Sequence, residues 1–253
     1  MKNYRHSKTK RDAQPADAAR ASLPSAGPLP RGQPGALSEP CASCGEKCCN
    51  RFAVPVTGFD LVRIVDRLGD EPWEFAELAH AAEIQAAPHA LVFIFNAKGE
   101  LEERLLTLQR RRNNYCVFSR HSQGCAIWGF HPMVCRSYPF AYKEGSKIGY
   151  TQNFVCPRPW EQKEWPANVR HILERQNLEM EEYNKIVREW NATRAKKEGS
   201  GNGLEAQKPF WKFLLEKSRE KMKEWQKEGG PDVEELGSNG PKRGFVEPEW
   251  NLK

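Results

Sequence analysis

The chain has 253 residues, which is enough for one domain of typical size with appendages, and no apolar run is long enough to span a bilayer. Only 39% of the residues are hydrophobic and the mean hydropathy is −0.75, so much of the length is expected to be solvated. The net charge is +6, and the charged start leads into no apolar stretch, so we expect a cytoplasmic protein without a membrane segment or secretory signal.

Residues 1–40 are rich in Ala, Pro, Ser, Gly and Arg and contain few large aliphatic residues. Such a segment cannot bury enough apolar surface to offset the entropy of ordering, so it is predicted to be a disordered basic arm. Aromatic residues do not interleave the charges beyond Tyr4, which argues against binding to nucleic acid.

The first predicted helix follows the first group of cysteines. Thr57 fits the N-cap position, Asp60 stands three residues later, and Gly69 ends the run of apolar residues at helical spacing. A second helix is expected from Asp70 toward Ile84. Two strands, at 90–95 and 104–108, are then predicted to form a hairpin across a turn that contains Gly99.

The second half of the chain has the period of amphipathic helices. One long helix is predicted from Pro166 through Trp190, and another around 210–225 after a Gly-rich spacer. The predicted fold class is therefore α+β, with a small β-hairpin or sheet, surrounding helices, a cysteine-lined metal centre, a helical C-terminal half and disordered termini. The predicted domains are a basic arm (1–40), a cysteine-cluster metal-binding domain (41–160), a helical extension packed on it (161–228) and a flexible tail (229–253).

All eight cysteines fall in one part of the chain, between positions 41 and 156. In a reducing cytosol, clustered thiols indicate metal binding more than disulfides. In Cys41-x2-Cys44 two thiolates can converge on one ion, and Gly45 allows the backbone to reverse behind them. All eight are predicted metal ligands: Cys41, Cys44, Cys48, Cys49, Cys116, Cys125, Cys135 and Cys156.

The spacing of the cysteines also limits which of them can bind the same metal ion. Side chains of the neighbours Cys48 and Cys49 diverge by about 100° on a helix, so one of them is expected to serve a second ion, another iron of a cluster, or a redox or structural role. The last four cysteines contain no chelating pair of their own. Sulfurs from both groups are therefore expected to meet at one site or at two adjacent sites.

An all-thiolate ligand set fits either zinc or an iron–sulfur cluster. Eight thiolates would satisfy two four-cysteine sites, or one cubane with four spare thiols; a 4Fe–4S cluster is the leading prediction and zinc the alternative. Arg136 could bind beside the cofactor and offset its negative charge, or form a surface salt bridge. His121 is expected in a surface loop and His131 in a structural turn.

Several of these motifs, taken in order, resemble the YkgJ-like cysteine-cluster proteins over roughly residues 41–160. The resemblance implies a zinc- or iron-chelating domain or an iron–sulfur protein, and a related domain in flagellin lysine N-methylase also admits methyl transfer. One departure is His131, where the family usually has Arg before Pro. The matching motifs are Cys41-x2-Cys44-Gly45-x2-Cys48-Cys49, Pro55-x3-Phe59-Asp60, Gly124-Cys125-x-Ile127-Trp128-x2-His131-Pro132-x2-Cys135-Arg136-x-Tyr138-Pro139-Phe140 and Cys156.

Three functions follow from these observations. The leading hypothesis is an iron–sulfur protein that serves electron transfer or cluster-assisted chemistry. The second is a zinc-stabilised scaffold that binds a protein partner through its helical C-terminal half, and the third is a protein lysine N-methyltransferase. The chain has no Gly-x-Gly-x-x-Gly loop after a strand and no Ser/His/Asp pattern, so the sequence does not decide whether the protein is an enzyme.

Overall fold

The computed structural model describes residues 47–81, 89–96, 98–119, 125–151, 155–156, 168–198 and 203–228. The predicted basic arm (1–40) and tail (229–253) lie outside the described residues, and the domain boundaries stay predictions. The mixture of helices, small antiparallel sheets and a helical C-terminal half confirms the α+β class. The elements are α1 (Lys47–Arg51), α2 (Gly58–Leu68), α3 (Pro72–Phe75), β1 (Ala76–His80), β2 (Val92–Phe95), β3 (Leu101–Leu108), α4 (Met133–Ser137), β4 (Phe140–Tyr142), β5 (Ile148–Tyr150), α5 (Val169–Thr193), α6 (Ala195–Glu198) and α7 (Gly203–Lys227).

Helix α2 begins and ends as its sequence predicts. The Thr57 hydroxyl accepts the amide of Asp60 at 3.3 Å, and the Asp60 carboxylate accepts the amide of Thr57 at 2.9 Å. This reciprocal pair is a capping box, which satisfies two amides at the start of the helix. Gly69 adopts φ of 75°, a left-handed conformation that suits glycine, and ends the helix.

The larger sheet has three antiparallel strands in the order β1-β3-β2. Val92 lies opposite Arg104 and Phe95 opposite Leu101, so β2 and β3 form the predicted hairpin, and Gly99 stands in its turn with φ of 76°. Beyond the end of β2, Val56 donates to the carbonyl of Leu106 at 3.1 Å. The chain that leads into α2 therefore continues the sheet beside β3.

The helix predicted to run from Asp70 toward Ile84 is wrong over residues 76–80. The helical stretch ends at Phe75, and the following residues form β1, which pairs with β3. Ala76 and Leu78 are both buried and stand two residues apart, which is the period of a strand and not of a helix. The pairing partner lies about 30 residues further along the chain, so local spacing alone did not reveal the strand.

The two long C-terminal helices confirm the prediction made from their periodicity. Helix α5 covers the free edge of β2, because the Asn191 side chain accepts from the amide of Phe93 at 2.9 Å and donates to the carbonyl of Leu91 at 2.8 Å. The Trp190 indole donates to the carbonyl of Phe93 at 3.1 Å. These bonds occupy groups that an open edge strand would leave unpaired.

The main core lies between the three-stranded sheet and helices α2, α5 and α7. Its largest fully buried side chains include Trp190, Trp211, Tyr183, Phe59 and Phe210. Strands β4 and β5 form a separate two-stranded sheet after α4. Among the described residues, no helix combines the length and the apolar character needed to cross a membrane.

Candidate metal centre

The first described cysteines lie on the single turn of α1. The carbonyl of Cys48 accepts the amide of Phe52 at 3.1 Å, which closes this turn. These cysteines are Cys48 and Cys49, whose thiols are half-buried and hydrogen-bonded to each other. That hydrogen bond with Cys48, together with burial, raises the pKa of the Cys49 thiol. The predicted divergence of the two side chains therefore does not separate these sulfurs.

The loop after β3 brings the second group of cysteines to α1. The amide of Cys116 donates to the carbonyl of Cys49 at 2.7 Å. The Arg110 guanidinium donates to the carbonyls of Asn50 at 2.5 Å and Asn114 at 2.6 Å, which ties the same loop to the end of α1. Cys116 is buried, and burial raises the pKa of its thiol. Main-chain contacts thus join the two groups of cysteines.

Helix α4 presents Cys135 to the same region. The Cys135 side chain keeps part of its surface exposed, but its thiol lies deep in the protein. Burial raises the pKa of the thiol well above its ordinary value, and Cys116, Cys125, Cys48 and Asp60 raise it further. Cys135 is therefore close to cysteines that precede it by up to 87 residues in the sequence.

Four of the predicted ligands form one mutually interacting set. Every pair among them interacts electrostatically, and each interaction raises the pKa of a thiol. A bound cation would reverse this effect, because ligating thiols lose their protons. This set is called the thiol cluster below, and its members are Cys48, Cys49, Cys116 and Cys135.

Cys125 lies at one side of the thiol cluster. It bridges to Ser119 across a short antiparallel contact, and its carbonyl accepts the amide of Trp128 at 3.3 Å. Its thiol interacts with that of Cys135. Cys125 therefore lies close enough to Cys135 for the two thiols to interact electrostatically.

Cys156 approaches the thiol cluster beside Tyr138. The Tyr138 hydroxyl accepts the amide of Val155 at 2.7 Å, which fixes the chain next to Cys156. Burial raises the pKa of Tyr138, and the sulfurs of Cys48 and Cys156 add to the rise. Tyr138 thus interacts electrostatically both with a cysteine of α1 and with the last cysteine of the chain.

Cys41 and Cys44 lie outside the described residues, as does His121. Within the parts of the chain that the structure describes, no three Cys, His, Asp or Glu side chains are arranged to hold a metal ion. The described thiols are therefore gathered in one region without a closed coordination sphere. The assignment of all eight cysteines as ligands stays a prediction.

Arg136 is a cation held beside Cys135. Its guanidinium donates to the carbonyl of His131 at 3.0 Å and to the carbonyl of Gly129. Burial, with a contribution from nearby Arg63, lowers the pKa of Arg136 to about 10, which still leaves it charged at neutral pH. It interacts electrostatically with Cys135, so it can offset negative charge there. Its role at the cofactor stays a prediction.

His131 occupies a structural turn, as expected from its position before Pro132. Its Nδ1 atom accepts the amide of Gly129 at 3.2 Å, and its ring stacks on Trp128 with 4.5 Å between the ring centroids. Burial, with a contribution from Arg136, lowers the pKa of His131 to about 3. The imidazole is therefore neutral at physiological pH.

A buried ionic network lies next to the start of α4 and was not predicted from the sequence. It consists of Asp60 and Arg63 on α2 and of Arg175 and Glu179 on α5, and all four side chains are almost completely buried. Each helix carries its own pair at the spacing of neighbours on one helix face, three or four residues apart. That spacing was the available signal, but the contact between the pairs joins residues 116 positions apart.

Residues 40–157 match the family model described as "CxxCxxCC: Putative zinc- or iron-chelating domain". The matched segment is slightly less than half of the chain and contains all eight cysteines. Comparison with curated proteins and with solved structures gives no match. Over this segment the chain is similar to the cysteine-cluster family. The match supports metal binding in general, and it does not distinguish zinc from iron.

Proposed function

We propose that the protein binds an iron–sulfur cluster through its cysteine thiolates and uses it for electron transfer or cluster-assisted chemistry. The observation that carries the proposal is the thiol cluster itself. Three separate elements, α1, the loop after β3 and α4, bring four thiols close enough for every pair to interact electrostatically. Uncharged thiols gain little from such a gathering, whereas a soft metal centre requires it.

The charges around the thiol cluster support a centre that carries negative charge. Four thiolates around a divalent ion sum to about −2, and such a charge is costly to bury without cations nearby. Arg136 lies on the same helix as Cys135, and Arg63 lies close enough to Arg136 to lower its pKa. The Arg136 guanidinium, which donates to main-chain carbonyls, is available to compensate the thiolates, whereas Arg63 is already paired with Asp60 and Glu179.

The side chains around the thiol cluster favour a shielded iron–sulfur cluster rather than a solvent-exposed metal ion. The rings of Phe52 and Tyr138 lie 6.1 Å apart, and Ile127 is 1% exposed. Ile127 belongs to the same hydrophobic cluster as Cys116, and Cys49 and Cys125 pack against that cluster. Solvent exposure is one of the factors that set the potential of an iron–sulfur cluster, so a shielded site suits a redox role.

Cysteines would bind the metal, and a nearby arginine would compensate their negative charge. The members of the thiol cluster would hold the metal, with Cys41, Cys44, Cys125 and Cys156 as further candidate ligands. Arg136 would compensate their charge. When bound, an iron–sulfur cluster supplies one-electron redox chemistry, and the protein tunes it through hydrogen bonds, burial and nearby charge.

A zinc-stabilised scaffold is the second candidate, and a groove beside α7 favours it. The groove has a volume of about 780 Å³ and is lined by Trp73, Phe213 and charged side chains from α3, α6 and α7. The Lys208 ammonium lies 5.5 Å from the centre of the Trp73 ring, and the Arg194 guanidinium lies 4.9 Å from the centre of the Phe213 ring. Exposed cationic groups that lie over aromatic rings in this way suit contact with a protein partner. Nothing in the described residues favours the methyl-transfer alternative.

Analysis of iron, zinc and acid-labile sulfide in the full chain, purified anaerobically, tests the proposal. We expect iron with a similar amount of sulfide, and a brown protein with broad absorption near about 400 nm from thiolate-to-iron charge transfer. A colourless protein with stoichiometric zinc would establish the scaffold instead. A protein that retains neither metal would contradict both candidates.

A further inference from the structure

The start of α4 is held by a carboxylate from another helix. Helix α4 has Pro132 at its N-cap and no side-chain cap of its own. The amide of Met133, its first residue, donates to Asp60 Oδ1 at 2.9 Å. Amides in the first turn of a helix have no partner inside the helix, so this bond fixes where α4 begins. Cys135 follows two residues later and is therefore positioned by Asp60.

The orientation of Asp60 depends in turn on Arg63. Asp60 Oδ2 is occupied by the amide and hydroxyl of Thr57, at 2.9 and 3.0 Å. Asp60 Oδ1, the atom that holds Met133, also accepts from Arg63 Nη2 at 2.5 Å. The side chains of Asp60 and Arg63 are 3% and 6% exposed, so solvent offers little replacement for this contact.

Glu179 fixes Arg63 from the opposite side. Arg63 Nη1 donates to Glu179 Oε1 at 2.7 Å and Arg63 Nη2 to Oε2 at 2.8 Å, a bidentate arrangement. Arg175 Nε also donates to Glu179 Oε1, at 2.8 Å, and the Arg175 guanidinium lies 4.4 Å from the centre of the Trp225 ring. The Glu179 side chain is 1% exposed, so removing its charge would leave the two buried guanidinium groups of Arg63 and Arg175 without the carboxylate that they share.

We propose that Glu179 is a positioning residue of the metal centre, which acts through Arg63 and Asp60 to hold the first turn of α4 and so Cys135. This inference rests on the proposed metal-binding function. Glu179 lies on α5, outside the segment that matches the family model. The metal-binding segment thus depends on the C-terminal helices for the geometry of one of its ligands. Residues that orient metal ligands typically change metal affinity by about 10- to 100-fold when they are mutated.

The test uses the full chain, purified anaerobically with its native metal, and compares Glu179→Gln with Glu189→Gln. Glu189 lies on the same helix but pairs with Lys217 at the surface, where both side chains are more than a third exposed. Each protein is challenged with EDTA, and the half-life of bound metal is measured by elemental analysis with the thiolate-to-metal absorption. We expect Glu179→Gln to lose metal about tenfold faster than wild type and to show a shifted absorption band, and Glu189→Gln to match wild type.

A double-variant comparison separates positioning from general loss of stability. If Glu179 acts through Asp60, the effects of Glu179→Gln and Asp60→Asn on metal half-life should be non-additive, and the double variant should lose metal little faster than the worse single variant. Glu179→Asp keeps the charge and should recover part of the half-life. If Glu179→Gln fails to fold by circular dichroism, Glu179→Asp against Glu189→Asp decides the question in the same way.

Three results would contradict different parts of the proposal. A folded Glu179 variant with the metal half-life and absorption of wild type contradicts the positioning role and leaves the proposed function intact. Additive effects of the Glu179 and Asp60 variants also contradict it. A wild-type protein that carries no metal contradicts the proposed function, and the positioning role with it.

Discussion

The amide of Cys116 donates a 2.7 Å hydrogen bond to the carbonyl of Cys49. This bond, together with that from Arg110 to the carbonyl of Asn50, connects the loop after β3 to α1. Strand β3 is the central strand of its sheet, so its pairing with β1 and β2 sets where the loop begins. The position of one predicted ligand thus follows from the register of the sheet, and the rest of the thiol cluster assembles around it.

The first prediction concerns the cysteines individually. Replacing Cys44 or Cys135 by Ser should abolish metal binding, because each stands in a motif that fixes its local geometry and has no cysteine at an adjacent position in the sequence. At least one single Ser variant of Cys48 or Cys49 should keep most of its metal, because these two thiols are hydrogen-bonded neighbours. Elemental analysis of all eight single Ser variants measures this. Equal metal retention by the Cys44, Cys135, Cys48 and Cys49 variants would contradict the prediction.

The second prediction concerns the contact between α2 and α7 at Gly58. A Cβ atom there would lie 2.2 Å from Ser218 Oγ and 2.7 Å from Leu214 Cδ1. Gly58→Ala should therefore destabilise the protein by about 1–3 kcal/mol, as expected for overpacking. Urea unfolding of the full chain measures the change.

The same contact offers a matched control. The buried Ser218 hydroxyl has no hydrogen-bond partner among the described residues, so Ser218→Ala alone should cost little. Combined with Gly58→Ala it removes the closest clash and should recover part of the lost stability. A Gly58→Ala variant as stable as wild type would show that the helices are not packed this closely.

The third prediction concerns the edge of β2. Asn191→Ala removes one acceptor and one donor that pair with the backbone of Phe93 and Leu91. Because half-buried backbone groups then lose their partners, we expect a loss of about 2 kcal/mol. Asn177→Ala, at an exposed position of the same helix, should change the unfolding free energy by less than about 0.5 kcal/mol. Equal effects of the two variants would contradict the role of Asn191.

The fourth prediction is a dependence of stability on pH. His89 is buried next to the Tyr183 ring, and burial lowers its pKa from 6.5 to about 4. Above about pH 6.5 the imidazole is neutral in both states, and its contribution to stability is complete. Between about pH 6.5 and 4 the unfolded chain binds the proton first, so stability falls, by about 3 kcal/mol in total.

Comparison of variants isolates this effect from other titrating groups. His89→Gln should lose less stability than wild type between pH 7 and pH 4, as measured by urea unfolding at each pH. His80→Gln, at an exposed position on β1, should keep the acid sensitivity of wild type. If His89→Gln also keeps it, the buried imidazole is not its source.

Local patterns in the sequence were enough for much of the fold. The Thr57 and Asp60 capping box, the hairpin around Gly99 and the long helices on either side of the Gly-rich spacer each depend on residues close together in the chain. Strand β1 was missed because its hydrogen bonds come from β3, far along the sequence. The two-stranded sheet after α4 was missed for the related reason that its strands have only three residues each.

The candidate site, too, could be predicted only in part from local patterns in the sequence. Cysteine spacing identified the ligand types and the need for both groups to meet, but it could not identify which sulfurs lie together. The divergence of neighbouring side chains on a helix did not predict the hydrogen bond between the Cys48 and Cys49 thiols, and the separate role expected for one of them stays a prediction. The link from Glu179 to Asp60 joins two helices that share no sequence motif, so only the packed structure reveals it.

X-ray absorption on the anaerobically purified full chain, at the edge of whichever metal elemental analysis finds, shows whether these sulfurs bind that metal. If the thiol cluster is a metal centre, the first coordination shell should consist of sulfur at about 2.3 Å, and iron should in addition show scattering from neighbouring iron. A first shell of oxygen and nitrogen, or a protein without bound metal, would contradict the assignment of these cysteines as ligands.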